Sequence, residues 1–307
     1  RVGERRRGRS LDRLLDRRAC EEDVTSLPYS PPAPRELHVA TSKRTEAALT
    51  SEIEITDRPG LRDIAINRPA KRNALTRAMY RALSDGLSGA AGVGARAIWL
   101  HGSAECFTAG NDLGDFAHAM PGAPSAAWGF LEALIACDTP IVATVNGAAV
   151  GVGTTMLLHC DLVCCSAGAR FQLPFVNLGL CPEAASTLLL PARAGLLRAS
   201  ELLLLGDPFD AATAREAGIV NAILPDPPDA DAWGLSRAEA LAAKPPEALR
   251  ATRALLRRNR AEVTAVMREE GAVFARLLHA PEARHALAAR VEPRAASSPR
   301  LSEAGGR

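Results

Sequence analysis

The chain has 307 residues, of which 47% are apolar and 23% are charged, and its formal net charge is +2. This composition is typical of a soluble globular protein, and the length fits one large α/β domain or two smaller ones. The small net charge gives no general argument for binding to nucleic acid or to a membrane surface. We therefore expect neither partner.

Residues 1–50 differ from the rest of the chain. The first 18 residues carry eight arginines, and 28–34 is rich in proline. An arginine-rich amphipathic start is typical of a transit peptide, but Glu4, Asp12 and Asp16 argue against one. We predict a disordered leader here.

Two short strands are predicted where the globular part starts, near Ser51. Residues 52–56 and 61–66 alternate polar and apolar side chains, as half-buried strands do, and residues 57–60 supply a turn between them. An amphipathic helix is predicted to follow residue 76 and to end near Ser88. A strand and a second helix come next, at 96–100 and 125–137.

Residues 139–160 form an uncharged stretch in the middle of the chain. Its proline, asparagine, histidine and three glycines argue against a transmembrane helix. The pattern instead predicts a strand at 141–145, a glycine turn at 151–153 and a short apolar helix at 154–160. Such a turn leaves backbone N–H groups free, which suits an anion or a developing oxyanion. A buried strand, turn and helix with no catalytic role is the alternative.

Strands and helices alternate after this stretch and predict βαβ units with a largely parallel sheet, so the fold class is α/β. The pattern becomes helical after about residue 195, with a helix stop at Gly218 and a loop at 225–228. A disordered tail is predicted at 293–307. The remaining predicted elements are strands at 161–166 and 171–173 and helices at 183–190, 211–220, 231–243, 245–258 and 261–279. Arginines at 250–260 are expected to lie on a solvated helix face.

The seven cysteines make an odd number and contain no CxxC pair. The cluster Cys160, Cys164 and Cys165 lacks the spacing of a zinc site. We expect buried, reduced thiols and no metal site, which favours a reducing cytoplasm as the location.

The chain has no P-loop, GxSxG, HExxH or GxGxxG motif. Four segments together, however, resemble the crotonase (enoyl-CoA hydratase/isomerase) superfamily in their order and spacing. They are N-R-P-A-K-R-N-A-L at 67–75, C-F-T-A-G-N-D-L at 106–113, P-I-V-A-T-V-N-G-A-A-V-G-V-G at 140–153 and F-Q-L-P-F-V-N-L-G-L-C-P-E at 171–183. The resemblance covers about residues 51–290.

The resemblance implies an α/β fold in which a crotonase-like ββα spiral core binds acyl-CoA at 51–200. An α-helical trimerisation region follows at 201–292, and the implied assembly is a homotrimer or a dimer of trimers. The shared chemical step of the family is stabilisation of a thioester enolate by two backbone N–H groups, which by position would be those of Asn111 and Val152.

Both implied donors follow a glycine, Gly110 or Gly151, which lets the backbone approach a ligand closely. Two preorganised donors can contribute about 3 kcal/mol each to stabilising an oxyanion. The alternative for Asn111 is a simple turn residue.

The acid/base group separates the branches of this superfamily. Its hydratases use two glutamates, and this chain has Thr155 and Phe175 at those positions, so hydration by two carboxylates is not expected. Glu183 resembles the base of the Δ3,Δ2-enoyl-CoA isomerase branch, where one carboxylate takes a proton from C2 and returns it to C4. The alternative for Glu183 is a residue at a helix start that favours the helix dipole.

The remaining site residues are also implied by the resemblance. Lys71, Arg72 and Ala74 would lie near the nucleotide and pantetheine, and the Ala109 carbonyl would face the adenine. The other members of the implied binding set are Gly110, Asp112, Leu113 and Gly151, with Pro174, Phe175 and Leu178 lining the acyl pocket. Asp112 is expected to order its loop.

These residues predict an enzyme that shifts a double bond from 3-enoyl-CoA to 2-enoyl-CoA. It would need no separate cofactor, because coenzyme A is part of the substrate. The alternatives are a hydratase or related thioester reaction in the same site, or a non-catalytic CoA-binding module.

Overall fold

The structure is a computed structural model, and it describes residues 52–112, 114–115 and 125–291. The leader predicted at 1–50, the tail predicted at 293–307 and Leu113 lie outside the described residues. Within them, the chain forms two sheets and a set of helices.

Six strands form the larger sheet, in the order β1-β2-β3-β5-β7-β10. The first pair is antiparallel and every other pair is parallel, which confirms the prediction of a largely parallel sheet. The strands are β1 (Ile53–Arg58), β2 (Leu61–Ile66), β3 (Ala97–His101), β5 (Ile141–Val145), β7 (Leu162–Ser166) and β10 (Ala222–Leu224).

Four short strands form the second sheet, β4 (Cys106–Thr108), β6 (Ala148–Val150), β8 (Arg170–Gln172) and β9 (Phe209–Asp210). The pairs β4–β6 and β6–β8 are parallel. From β3 to β8 the chain therefore places one strand in the larger sheet and the next in the smaller one. Strands β4 and β6 were not predicted, whereas β8, which is also three residues long, was predicted at 171–173.

Each of the four helices predicted up to residue 190 has a counterpart in the structure, but the helix at Leu196–Ser200 was not predicted. Helix α7 (Pro227–Ala242) starts inside the predicted loop at 225–228, because Asp226 accepts a hydrogen bond from the Asp229 amide and prolines occupy the first turn. Strands β9 and β10 lie in the part predicted to be helical, and α10 (Pro281–Val291) was not predicted. The helices are α1 (Arg77–Ser88), α2 (Ala126–Ala136), α3 (Val152–Thr155), α4 (Ser186–Ala194), α5 (Leu196–Ser200), α6 (Ala211–Glu216), α7 (Pro227–Ala242), α8 (Pro246–Leu256), α9 (Arg260–Leu278) and α10 (Pro281–Val291).

Helix α7 packs against strands β3, β5 and β7 of the larger sheet. The approach is close at Gly234, where a Cβ atom would lie 2.0 Å from Thr144 Oγ1. That hydroxyl also accepts a 2.9 Å hydrogen bond from Trp99 Nε1. A side chain at Gly234 would therefore push the helix off the sheet. Helix α9 packs against α2 and α4, and through α4 it reaches the segment that carries Glu183.

Arg253 corrects the prediction of a solvated arginine face at 250–260. Its side chain is buried, and it donates to Asp161 Oδ1 at 2.7 Å and to the Cys137 carbonyl at 2.7 Å. Asp161 in turn accepts from the Ile141 amide at 2.7 Å. The buried arginine thus ties α8 to the start of strand β5 and to the loop before it. Its pairing with Asp161 offsets the cost of a buried charge.

The cysteines confirm the prediction of buried thiols. Five of the six in the described residues are buried and none forms a disulfide there, while Cys181 is half-buried. Burial raises the pKa of the Cys160 and Cys165 thiols to about 12 and that of Cys164 to about 11, so these thiols stay protonated and unreactive. No cluster of three or more histidines, cysteines or carboxylates in the described part of the chain could hold a metal ion. None of the helices described here is long and apolar enough to cross a membrane.

His101 donates from both ring nitrogens only when it is protonated. Nε2 lies 2.9 Å from Asp63 Oδ1 and Nδ1 lies 3.1 Å from the Gly102 carbonyl oxygen, and both partners accept. Burial acts to lower the pKa of His101, but the hydrogen bond and charge of Asp63 outweigh it and leave that pKa raised.

We expect this pair to make stability depend on pH. Because the folded-state pKa is raised, the stabilisation is fully present below the unfolded pKa of about 6.5 and is lost as the pH rises through the folded pKa. The His101→Gln variant should lose on the order of 1 kcal/mol of unfolding free energy at pH 6 and less at pH 8. Urea unfolding at both pH values measures this, and an equal loss at both would contradict the protonated pair.

Candidate active site

The first two motif segments are joined by backbone hydrogen bonds. The Ala109 amide donates to the Arg72 carbonyl at 3.0 Å, and the Leu75 amide donates to the Gly110 carbonyl at 2.8 Å. The buried side chain of Asn73 adds a bond from Nδ2 to the Cys106 carbonyl at 2.7 Å. Asn73 was not predicted as a site residue, although it begins the N-A-L of the first motif segment. These bonds fix the loop that carries Asn111.

The backbone N–H group of Asn111 points away from Leu75 and the first motif segment, which lie beside it. Leu75 forms hydrogen bonds with the residues on both sides of Asn111. Its amide donates to the Gly110 carbonyl, and its carbonyl accepts from the Asp112 amide at 3.0 Å. Successive N–H groups of an extended chain point in opposite directions, so the N–H of Asn111 points to the other side. No acceptor in the described residues lies within hydrogen-bond distance of it.

Gly110 brings this loop against the glycine turn of the third segment. It has a φ of 86°, and a Cβ atom there would lie 2.7 Å from the Val150 carbonyl oxygen. Val150 directly precedes Gly151, whose φ of 57° starts α3. The two turns therefore meet at backbone contact distance, which only a glycine at position 110 permits.

The Val152 amide is the second unpaired donor. The Gly151 carbonyl accepts from the amides of Thr154 and Thr155 at 2.9 and 3.0 Å, while the Val152 amide, at the first position of α3, has no acceptor in the described residues. The Val152 side chain is buried. The two N–H groups predicted to bind an oxyanion are thus both free and lie on adjoining turns.

Glu183 is a buried carboxyl group for which the described residues provide no counter-ion. It is 9% exposed, and its Oε1 atom has no hydrogen-bond partner in the described residues. Burial, with a smaller effect from the charge of Glu270, raises the pKa of Glu183 to about 7. Such a group is half ionised near neutral pH, which suits a general base. The helix predicted at 183–190 begins later, at Ser186, so Glu183 does not lie in its first turn.

Tyr80 on α1 contacts the loop that carries Asn111 and lies within the electrostatic influence of Glu183. Its hydroxyl donates to Asn111 Oδ1 at 2.5 Å. Burial raises the pKa of Tyr80 well above its ordinary value, and the nearby charge of Glu183 acts in the same direction, so the phenol stays protonated. Tyr80 was not predicted as a site residue, because one aromatic residue on an amphipathic helix predicts only a core position.

The Tyr80→Phe variant should lower kcat by about three- to tenfold with little change in KM, because the lost hydrogen bond leaves the Asn111 side chain without its donor. Steady-state kinetics with an enoyl-CoA substrate measures this. Asn111→Ala keeps the backbone amide and removes the same bond from the other side, so the double variant should be no slower than the slower single variant. Additive losses would show that the two side chains act separately.

The implied CoA-binding residues occupy the surface beside these loops. Lys71 and Arg72 are exposed at a 3-10 turn (Pro69–Lys71), and Ala74 is half-buried. Asp112 accepts from Arg68 Nη1 at 2.6 Å and from the Asp115 amide at 3.1 Å. These bonds agree with the expectation that Asp112 orders its loop.

The fourth segment supplies an apolar wall. Pro174 and Phe175 are buried and Leu178 is half-buried against the main core. Thr155 is also buried, with its hydroxyl 3.4 Å from the Val152 carbonyl oxygen. Neither Thr155 nor Phe175 can transfer a proton as a carboxylate does. Asp112 is paired with Arg68, so Glu183 is the buried and unpaired carboxyl group of the motif segments.

The spiral of successive ββα turns places this fold in the crotonase class of proteins. The family model for enoyl-CoA hydratase/isomerase matches residues 57–297, and the chain belongs to that family of enzymes.

Similar proteins carry both isomerase and hydratase names. The chain is 33% identical over 226 residues to enoyl-CoA delta isomerase 2 of Rattus norvegicus, a match that covers 71% of this chain and 57% of that protein. It is 33% identical over 242 residues to 2,3-dehydroadipyl-CoA hydratase of Escherichia coli K12, covering 76% of this chain and 93% of that one. The crystal structure of an enoyl-CoA hydratase/isomerase from Pseudoalteromonas atlantica T6c is 42% identical, with a TM-score of 0.74, and the match covers 80% of this chain and 98% of that one.

Proposed function

We propose that this enzyme binds an acyl-CoA thioester and moves its double bond from C3 to C2, with Glu183 as the only acid/base group. The observation that carries the proposal is the buried, unpaired Glu183, whose pKa is raised to about 7. Thr155 and Phe175 stand where a hydratase of the two-glutamate type has its carboxylates, which supports a reaction that needs one such group.

In the proposed reaction the thioester oxygen accepts hydrogen bonds from the Asn111 and Val152 amides. Ionised Glu183 takes a proton from C2, the C3–C4 double bond shifts to C2–C3, and the same carboxyl group returns the proton to C4. The enolate oxygen carries the developing charge between the two transfers, so the free amides stabilise the transition state more than the ground state. No separate cofactor takes part.

The delta isomerase name of the Rattus norvegicus relative supports this reaction. The Escherichia coli hydratase, which the chain matches over 93% of that protein's length, supports a second candidate. In that reaction Glu183 alone activates a water molecule that adds to a 2-enoyl-CoA. A non-catalytic CoA-binding module is disfavoured, because a buried carboxyl group without a partner costs stability that a binding module has no need to sacrifice.

We also propose that Lys71, Arg72, Ala74 and Ala109 contact the CoA moiety and that the assembly is a homotrimer or a dimer of trimers. Six exposed leucines in the helical part support an assembly, because exposed apolar surface often marks a contact between proteins. They are Leu196, Leu197, Leu204, Leu205, Leu255 and Leu256.

One assay separates the candidate functions. Purified protein is given 3-enoyl-CoA and 2-enoyl-CoA in separate reactions, with the Glu183→Gln variant as control. Conversion of the 3-enoyl substrate that is lost in the variant is the expected result. Hydration of the 2-enoyl substrate, lost in the variant, would favour the second candidate. Turnover of neither substrate would reject both enzyme reactions.

A further inference from the structure

The turn that follows Glu183 has a strained backbone. Ala184 and Ala185 have φ values of 63° and 54°, in the left-handed region that favours glycine. An alanine is strained in this region because its Cβ atom crowds the backbone. A backbone of this kind persists only where the surrounding structure holds it, and it is concentrated at functional sites. The contacts that hold this turn therefore decide where the Glu183 side chain points.

Glu270, on helix α9, holds one side of the turn. Its Oε2 atom accepts from the Ala185 amide at 2.6 Å. Its Oε1 atom accepts from the Thr187 amide at 2.9 Å and from the Thr187 hydroxyl at 2.6 Å. Both carboxyl oxygens are thus used as acceptors, and the carboxyl group takes the place that a capping residue has at the start of α4.

His159, in the 3-10 turn that follows α3, holds the other side. Its Nε2 atom lies 2.7 Å from the Ala184 carbonyl oxygen, and since a carbonyl only accepts, Nε2 carries the proton. Burial lowers the pKa of His159 to about 4, and the charges of Arg257 and Arg193 act in the same direction. The imidazole therefore stays neutral at physiological pH. Arg257 also donates to the His159 carbonyl.

Other ionisable groups face this pair of glutamates from neighbouring elements. Burial raises the pKa of Glu270 above its ordinary value, although the bonds from Thr187 and Ala185 favour its charged form. The charge of Glu270 in turn adds to burial in raising the pKa of Glu183. The remaining groups are Tyr80 on α1, Cys181 on the preceding loop, and Glu269 and Arg276 on α9. None of them pairs with Glu183.

We propose that Glu270 and His159 are positioning residues for Glu183, holding the left-handed turn from opposite sides so that the Glu183 carboxyl group stays unpaired and aimed at the thioester. Glu270 also supplies the negative charge that keeps Glu183 protonated to higher pH. This inference rests on the proposed role of Glu183 as base. It gives helix α9, far away in sequence, an indirect part in the chemistry, through the position of Glu183.

The Glu270→Gln variant tests the charge and the turn together. The amide keeps one acceptor oxygen and loses the charge, so kcat should fall about tenfold and the rising limb of the pH profile should move to lower pH by on the order of 1 unit. Glu269→Gln, at the next position of the same helix, should leave both unchanged. If kcat fell but the rising limb of the pH profile stayed at the same pH, the proposed role of the Glu270 charge would be overturned.

His159 variants test the turn without changing charge. His159→Ala should lower kcat about tenfold, because the Ala184 carbonyl loses its donor, while the dissociation constant of a saturated acyl-CoA stays within about twofold. His159→Gln can place an N–H donor at the same distance and should recover most of the activity. Equal losses in the two variants, or a loss of binding in both, would overturn the positioning role.

A titration that does not need turnover separates this inference from the proposed function. With glutamate labelled with ¹³C at Cδ, the Glu183 resonance is assigned by its absence in Glu183→Gln and followed against pH. The midpoint should be lower in Glu270→Gln than in the natural protein and in Glu269→Gln. A lower midpoint in a protein that turns over no substrate would reject the proposed reaction and leave this inference standing. Equal midpoints in the three proteins would reject this inference and leave the proposed reaction standing.

Discussion

Replacing Glu183 by glutamine is expected to lower kcat for a 3-enoyl-CoA by about a thousandfold, with the dissociation constant of a saturated acyl-CoA nearly unchanged. General acid/base groups contribute on the order of 10²–10⁴ in rate, and here one group would serve both proton transfers. Because the base must be ionised, kcat/KM should rise with pH through about 7, the raised pKa of Glu183. Steady-state rates between pH 5 and 9 measure both effects.

The same substitution gives a second result that needs no substrate. The pKa of Glu183 is higher in the folded state than in the unfolded chain, so the folded state binds the extra proton and stability falls as the pH rises from about 4.5 to about 7. Glu183→Gln should remove this fall and be more stable at pH 8 by on the order of 2 kcal/mol. If the variant and the natural protein had the same free energy of unfolding at pH 8, the raised pKa of Glu183 would be contradicted.

Strands β1 and β2 were predicted from their alternating pattern and β3, β5 and β7 from apolar or β-rich sequence, because these five strands are long enough to show a pattern. Strands β2, β3, β5 and β7 each start or end within about two residues of the prediction. Strands β9 and β10 were missed for a physical reason. They are only two and three residues long, and their pairing with distant strands, rather than local propensity, makes them strands.

Some residues of the candidate site can be recognised from the neighbouring sequence, and others only from the fold. The proposed backbone donors, Asn111 and Val152, were implied by the resemblance, because both lie directly after a glycine inside the motif segments. Tyr80 and Glu270 could not be, because each meets its partner only through the fold; Glu270 and Ala185 are 85 residues apart in sequence. Arg253 shows the converse error, since its arginine-rich helix predicts a solvated face and its burial depends on Asp161 at a distance of 92 residues along the chain.

Replacing Gly110 by alanine is expected to lower kcat by about a hundredfold or more. The new Cβ atom would lie 2.7 Å from the Val150 carbonyl oxygen, a backbone atom that cannot rotate away, so the two turns must separate. The Asn111 amide would then move relative to the Val152 amide, and the loss of one donor from an oxyanion site costs on the order of 10²–10³ in kcat.

Gly94→Ala provides the matched control for this change. Gly94 also has a positive φ, 75°, but a Cβ atom there would meet no other atom within 4 Å, so this variant carries the backbone strain of about 1 kcal/mol without the steric clash. Both variants should unfold more easily, and only Gly110→Ala should lose activity beyond what its lost stability explains. If the two had the same kcat, the contact between the two turns would not set the spacing of the donors, and Asn111 would lose its place in the oxyanion site. The comparison therefore tests whether the close approach of two glycine turns, rather than any side chain, builds the part of the site that holds the charge.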